Sequence, residues 1–251
     1  MLGESEIAAN LNRVRERVSA AARRAGRRPE EIVLVGVAKG VAADRLRHAL
    51  EAGLTDVGEN YVQEAQSKRL EVGEGARWHF VGHLQTNKAK PALGLFDLIQ
   101  TVDSIRLAHA LARAAQAEGR RAQVLLQVNT SGEATKSGFA PEQLLPAVEE
   151  IAAQPGLRLL GLMSIGRWEA DPEAARGEFR LLARLGAQLG GRGLAGVEMR
   201  YLSMGMSHDL EVAIEEGANL IRVGTAIFGP RPARQPGPPA RRPLSSTCLI
   251  T

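Results

Sequence analysis

The sequence predicts one α/β domain of the (β/α)8 barrel class. Three observations carry that prediction. Eight short apolar runs are continuous rather than alternating, as in parallel strands covered on both faces. Helical periodicity fills most of the gaps between them, and eight runs favour a closed barrel over an open sheet. No Gly-x-Gly-x-x-Gly turn follows the first run, as it should in a doubly wound nucleotide binder. A chain of 251 residues, 44% hydrophobic and 24% charged, is ample for one core of this size.

The first element is helical: Ile7, Leu11, Val14 and Val18 recur at three-to-four spacing among Arg and Glu over residues 4–25, so one face is buried against the core. The eight runs follow as IVLVGVAK at 32–39, TDVGEN at 55–60, RWHFVG at 77–82, DLIQTV at 97–102, AQVLLQVN at 122–129, LRLLGLMSI at 157–165, MRYLSMG at 199–205 and NLIRVG at 219–224. Helical patterns at 42–52, 61–71, 104–118, 141–153, 173–189 and 207–217 supply crossovers, with none assigned between the third and fourth runs. At the last of these, Ser207 reads as an N-cap, with Asp209 and Glu211 complementing the helix dipole. The barrel and its leading helix are expected over residues 1–230, and the Pro/Arg/Ser-rich stretch 231–251 is expected to be a disordered tail. Its final Cys248-Leu249-Ile250-Thr251 fits a prenylation box only superficially, being short and ending in an atypical Thr.

Several function classes are disfavoured. No apolar run approaches the roughly 20 residues of a membrane helix, and MLGESEIAAN lacks the order of a signal peptide, so a cytoplasmic protein without a membrane partner is expected. A single cysteine and no Cys/His cluster leave neither an internal disulfide nor a structural metal. The net charge of +4 gathers at Arg23, Arg24, Arg27 and Arg28 and at Arg231, Arg234, Arg241 and Arg242. With two Trp, two Tyr and five Phe there is no obvious base-stacking platform, so these ends read as solvated termini rather than a nucleic-acid surface.

Barrels of this class place working groups at the C-terminal ends of their strands. Lys39 ends the first run directly after a buried strand, where desolvation lowers an amine's pKa and suits it to form an imine. A strand-terminal lysine also snorkels into solvent, and the segment alone leaves both readings open. The last run ends Arg222-Val223-Gly224-Thr225 at the start of a short helix; this is either a phosphate cradle or a plain glycine turn. Ser203, on the neighbouring strand, can add a phosphate hydrogen bond. Asn60 is a ligand contact or a helix cap. His83 and Lys136 lie on loops just past strand ends, and for His83 a solvated histidine is the simpler reading.

The residues Val35-Gly36-Val37-Ala38-Lys39, Gly58-Glu59-Asn60-Tyr61, Trp78-His79-Phe80-Val81-Gly82-His83-Leu84-Gln85, Lys136-Ser137-Gly138, Leu202-Ser203-Met204-Gly205-Met206-Ser207 and Ile221-Arg222-Val223-Gly224-Thr225 together resemble the pyridoxal phosphate homeostasis protein family over roughly residues 5–230. That family is related to the alanine racemase N-terminal-domain barrel. The resemblance implies pyridoxal 5′-phosphate as cofactor, bound as a Schiff base on Lys39. It implies the phosphate at Ser203 and Gly224-Thr225, Arg222 against the pyridine nitrogen, and Lys136 in cofactor release. An arginine there discourages ring protonation and weakens the electron sink. A racemase also needs a second acid/base tyrosine on a separate domain, and after Gly229 only the tail remains. The resemblance therefore implies a monomeric carrier serving apo-enzymes, not an enzyme of substantial turnover. The alternative is a weak amino-acid racemase or lyase-type catalyst.

Overall fold

The structure, a computed structural model, describes residues 3–133, 135–167 and 171–230. The tail expected at 231–251 lies outside the described residues. The chain opens with helix α1 (Glu4–Arg24) and then alternates: β1 (Val33–Val37), α2 (Ala43–Glu51), β2 (Asp56–Glu59), α3 (Val62–Val72), β3 (Arg77–Phe80), α4 (Ala89–Leu95), β4 (Leu98–Val102) and α5 (Ile105–Ala117). The second half continues through β5 (Ala122–Gln127), α6 (Leu144–Ala152), β6 (Leu157–Met163), α7 (Arg176–Gly190), β7 (Val197–Ser203), α8 (Leu210–Glu215), β8 (Leu220–Val223) and α9 (Thr225–Phe228). Each strand pairs in parallel with the next, and β8 returns to β1 through Val33↔Leu220 to Gly36↔Val223, closing an eight-stranded barrel.

Closure explains why the runs read as continuous. One set of alternate side chains enters the barrel and the other meets the helices, so β4 and β8 are buried at every residue. The larger core lies between sheet and helices, where Ile7, Leu11 and Val14 of α1 join Leu46, Trp78, Phe80 and Leu111. A smaller one fills the interior with Val35, Leu98, Leu125, Leu160, Tyr201 and Leu220. Helix α1 packs against α2, α8 and α9, flanking the barrel beside its closing strands.

The structure differs from the sequence reading in three places. Helix α4 bridges β3 and β4, where Pro91 and Gly94 hide it; Pro91 stands in the first turn, which needs no intrahelical N–H. The helices at 141–153 and 173–189 open with 3-10 turns, Pro141–Gln143 and Pro172–Ala175, because proline sets the entry. The last long helix is only Leu210–Glu215, with Asp209 rather than Ser207 at its N-cap. No helix among the described residues is long and apolar enough to cross a membrane.

Candidate functional site

A cavity of about 410 Å³ opens at the C-terminal mouth of the barrel, the end where this fold class carries its working groups. Lys39, Asn60, Arg222, Gly224 and Thr225 all line it. Ser207, Asp209 and Arg167 line it too, although sequence reasoning gave them no place there.

Lys39 is presented by a tight turn. Val41 N–H donates to Ala38 O at 2.9 Å, and Gly40 takes φ +67, the left-handed conformation that a type II turn requires at its third position. Two acidic residues and a second lysine hold this turn from below. Lys68 Nζ donates to Ala38 O at 2.7 Å, to Glu64 Oε2 at 3.2 Å and, closer still, to Glu59 Oε1. Glu64 Oε2 also accepts from Gly40 N at 3.0 Å, and Glu59 Oε2 accepts from Asn60 N at 2.8 Å. Glu59 has no exposed surface, and burial raises its carboxyl above the usual range although Lys68 pulls the other way. The ion cluster thus ties β1, β2 and α3 together directly beneath Lys39, and Asn60 enters the wall as its neighbour rather than as a helix cap; Tyr61 occupies the cap position.

Arg222 forms the floor. Its guanidinium is buried, donating through Nη2 to Ser164 O at 2.8 Å and through Nη1 to Ser203 Oγ. Burial lowers its pKa to about 10, with nearby Asp209 opposing, so it remains a cation at neutral pH. Asp209 is itself nearly buried, which raises its carboxyl above the ordinary value; its Oδ1 accepts from Met206 N at 2.6 Å and closes the turn that carries Ser207.

The third wall is the junction of β8 and α9. Gly224 runs close to β1: a Cβ there would stand 3.3 Å from Val37 O. The hydroxyl of Ser207 accepts from Ala226 N at 3.4 Å, so the β7 loop and the first turn of α9 lie side by side. Outside, Asn10 Nδ2 donates to Ile227 O at 3.0 Å, Arg45 donates to Phe228 O, and Arg17 donates to Ser207 O at 3.1 Å while pairing with Glu211. Helix α1 therefore braces this wall as well as covering the core.

Other expected residues stand elsewhere. Ser203 is fully buried below the cavity, donating to Gln100 Oε1 at 2.6 Å and accepting from Arg222; it does not line the cavity. The reason is depth: β7 ends at Ser203, and the chain reaches the mouth only at Met206 and Ser207. Lys136 pairs with Glu133 at 3.0 Å on the loop after β5, also outside the lining, and Glu133 lies 3.8 Å from Arg167 on the rim. His83 is mostly exposed, with Nδ1 3.1 Å from Asp103. Of the tyrosines, Tyr201 accepts from Arg77 at 3.0 Å; Arg77 begins β3, so that hydroxyl faces the opposite end of the barrel. Tyr61 is exposed and is not part of the lining.

Known proteins resemble this chain over most of its length. The family profile described as alanine racemase, N-terminal domain, matches residues 9–232. The pyridoxal phosphate homeostasis protein of Pseudomonas aeruginosa is 43% identical over 237 residues, covering 94% of this chain and 99% of that protein. The structure of PipY from Synechococcus elongatus with PLP bound superposes with TM-score 0.78 at 33% identity, covering 89% of this chain and 100% of that one. An alanine racemase of Clostridium difficile, 18% identical with TM-score 0.69 over 91% of this chain and 56% of its own, shares the fold.

Proposed function

The chain belongs to the pyridoxal phosphate homeostasis protein family, within the alanine racemase N-terminal-domain barrels, and we propose that it carries pyridoxal 5′-phosphate covalently on Lys39 rather than turning over substrates at speed. The observation that carries this reading is the meeting of Lys39 and Arg222 across one cavity at the barrel mouth.

The donors fit the group. An amine suits the aldehyde carbon, with which it condenses to an imine and releases water. A buried cation that cannot accept a proton suits an unprotonated ring nitrogen. The hydroxyls of Ser207 and Thr225, beside a glycine where the backbone approaches closely, suit a phosphate. The cavity volume lies within the range of small-molecule sites. In this reading Ser207 takes the phosphate contact that the sequence assigned to Ser203, and Asn60 borders the ring. When bound, the cofactor supplies an electron sink for amino-acid chemistry; Arg222 weakens that sink by disfavouring ring protonation. Neither tyrosine lines the cavity to serve as the second acid/base of a racemase.

Delivery to apo-enzymes by a monomeric carrier completes the proposal. For Lys136 to take part in release, its pair with Glu133 must open and the loop after β5 must bring Nζ to the cavity. The test combines titration with pyridoxal 5′-phosphate, followed by visible absorption, and incubation of the loaded protein with L-amino acids in deuterated water. A carrier gives saturable binding and negligible α-deuteration. Binding with rapid α-deuteration would instead establish the weak enzyme, and no binding would remove the carrier reading.

A further inference from the structure

Polar side chains run through the interior of the barrel behind the cavity, among the apolar residues Val35, Leu98, Leu125, Leu160 and Tyr201. His79 of β3 is completely buried; its Nε2 lies 2.8 Å from Asp56 Oδ1 and its Nδ1 lies 2.9 Å from Gln100 Nε2. Gln100 of β4 accepts at Oε1 from Ser203 of β7, which in turn accepts from Arg222 of β8. Four hydrogen bonds therefore connect Asp56, at the start of β2, to the guanidinium on the cavity floor. Sequence reading passed over His79 and Gln100, whose side chains do not touch the cavity.

The chemistry of the two ends gives this chain one direction. A guanidinium only donates, so Ser203 Oγ accepts from it and has its single hydrogen left for Gln100 Oε1. That fixes the amide of Gln100 with its NH2 toward His79, whose Nδ1 must then accept. The imidazole hydrogen stands on Nε2 and goes to the Asp56 carboxylate, which only accepts. Each of the four links then joins one donor to one acceptor, as a buried network requires. A second hydrogen on His79 would oppose the Gln100 NH2. Turning that amide over to relieve it would leave the Ser203 hydrogen without its acceptor.

We propose that Asp56, His79, Gln100 and Ser203 are positioning residues that fix Arg222 in one orientation toward the ring of the cofactor, through this one-way chain. The inference rests on the proposed occupancy of the cavity by pyridoxal 5′-phosphate, and it assigns control of the ring nitrogen to residues that never touch the ring. Ser164 O holds one arm of the Arg222 fork and the chain through Ser203 holds the other, and a donor fork acts on a ring nitrogen only in a narrow range of directions.

Two measurements on the full chain test it. In the protein without cofactor, long-range proton–nitrogen correlation spectra should show His79 neutral with its hydrogen on Nε2; a hydrogen on Nδ1, or a charged ring, overturns the chain without any variant. Gln100→Glu, nearly the same shape but only an acceptor on both oxygens, should place a hydrogen on Nδ1 as well and turn the ring into imidazolium. The second measurement uses pyridoxal 5′-phosphate labelled with nitrogen-15 in the ring. Ser203→Ala and Gln100→Leu should move the bound ring-nitrogen resonance upfield, toward the protonated pyridine, while the phosphorus resonance stays at its wild-type position. A wild-type ring-nitrogen resonance in both folded variants would overturn the positioning role. Absence of any bound phosphorus signal in the wild type would instead count against the carrier reading, and the His79 measurement separates the two because it needs no cofactor.

Discussion

Replacing Lys68 by Met removes the cation from the ion cluster beneath Lys39 at almost unchanged volume. The Lys68 side chain is 9% exposed and Glu59 is 0% exposed, so the carboxylate left behind is buried with the Asn60 N–H as its remaining hydrogen-bond donor. Breaking a buried pair from one side costs about 3–5 kcal/mol, which for a chain of this length is a fall in Tm of about 6–20 °C. The loss depends on pH in a definite sense. Burial already raises the Glu59 carboxyl, and without Lys68 it rises further. A group whose folded pKa is raised favours the protonated form in the folded state. Its penalty is therefore smallest below the unfolded value, about 4.3, and grows as pH rises through the folded pKa. Lys68→Met should accordingly lose more stability at pH 8 than at pH 5, and adding Glu59→Gln should restore most of the loss at pH 8. Thermal unfolding of the four proteins of that cycle, followed by circular dichroism at both pH values, measures this. A fall below about 2 °C, a loss equal at both pH values, or a double variant no better than Lys68→Met would refute the reasoning.

The remaining predictions concern the phosphate wall and the interior histidine. Ser207→Ala should weaken binding of pyridoxal 5′-phosphate about tenfold while leaving pyridoxal unaffected, the loss of one hydrogen bond to a charged group. Ser203→Ala should not discriminate between the two ligands, and calorimetric titration with both compounds would show a reversed pattern if the phosphate lay against Ser203. Burial holds the His79 imidazole below its usual range although Asp56 opposes it, so the unfolded chain takes up its proton first as pH falls. Stability should then drop by up to about 1.4 kcal/mol per pH unit below about 6.5, and His79→Gln should flatten that slope between pH 6.5 and 5. Urea midpoints across this range measure it, and an unchanged slope in the variant would show that His79 is not the group responsible.

The barrel was legible in the sequence because closure buries both faces of every strand and leaves runs such as LIQTV and LIRV without polar alternation. Helix α4 was not, since Pro91 and Gly94 read as breakers in a short segment, and only the helix start at Ala89 shows that Pro91 falls in a first turn that tolerates it. At the mouth, the rule that strand ends carry the chemistry led to Lys39, Asn60, Arg222, Gly224 and Thr225, which the structure gathers around one cavity. The rule does not say how far past a strand the chain must travel to reach that cavity. Hence of two serines four residues apart, the strand-ending Ser203 is buried and Ser207 on the loop is at the mouth. A signal for the interior chain was present but unused. His79, Gln100, Ser203 and Arg222 each interrupt an apolar run on the side that β-periodicity turns inward, where an unpaired polar group is costly and a paired one has a purpose.

The covalent role of Lys39 is the centre of the account. The direct measurement is to load the full chain with pyridoxal 5′-phosphate, reduce it with borohydride, digest it and locate the pyridoxyl mass by tandem mass spectrometry, beside Lys39→Ala treated in the same way. The account predicts one modified lysine at position 39 in the wild type and none in the variant. Modification at another lysine, or an equal yield in Lys39→Ala, would contradict it.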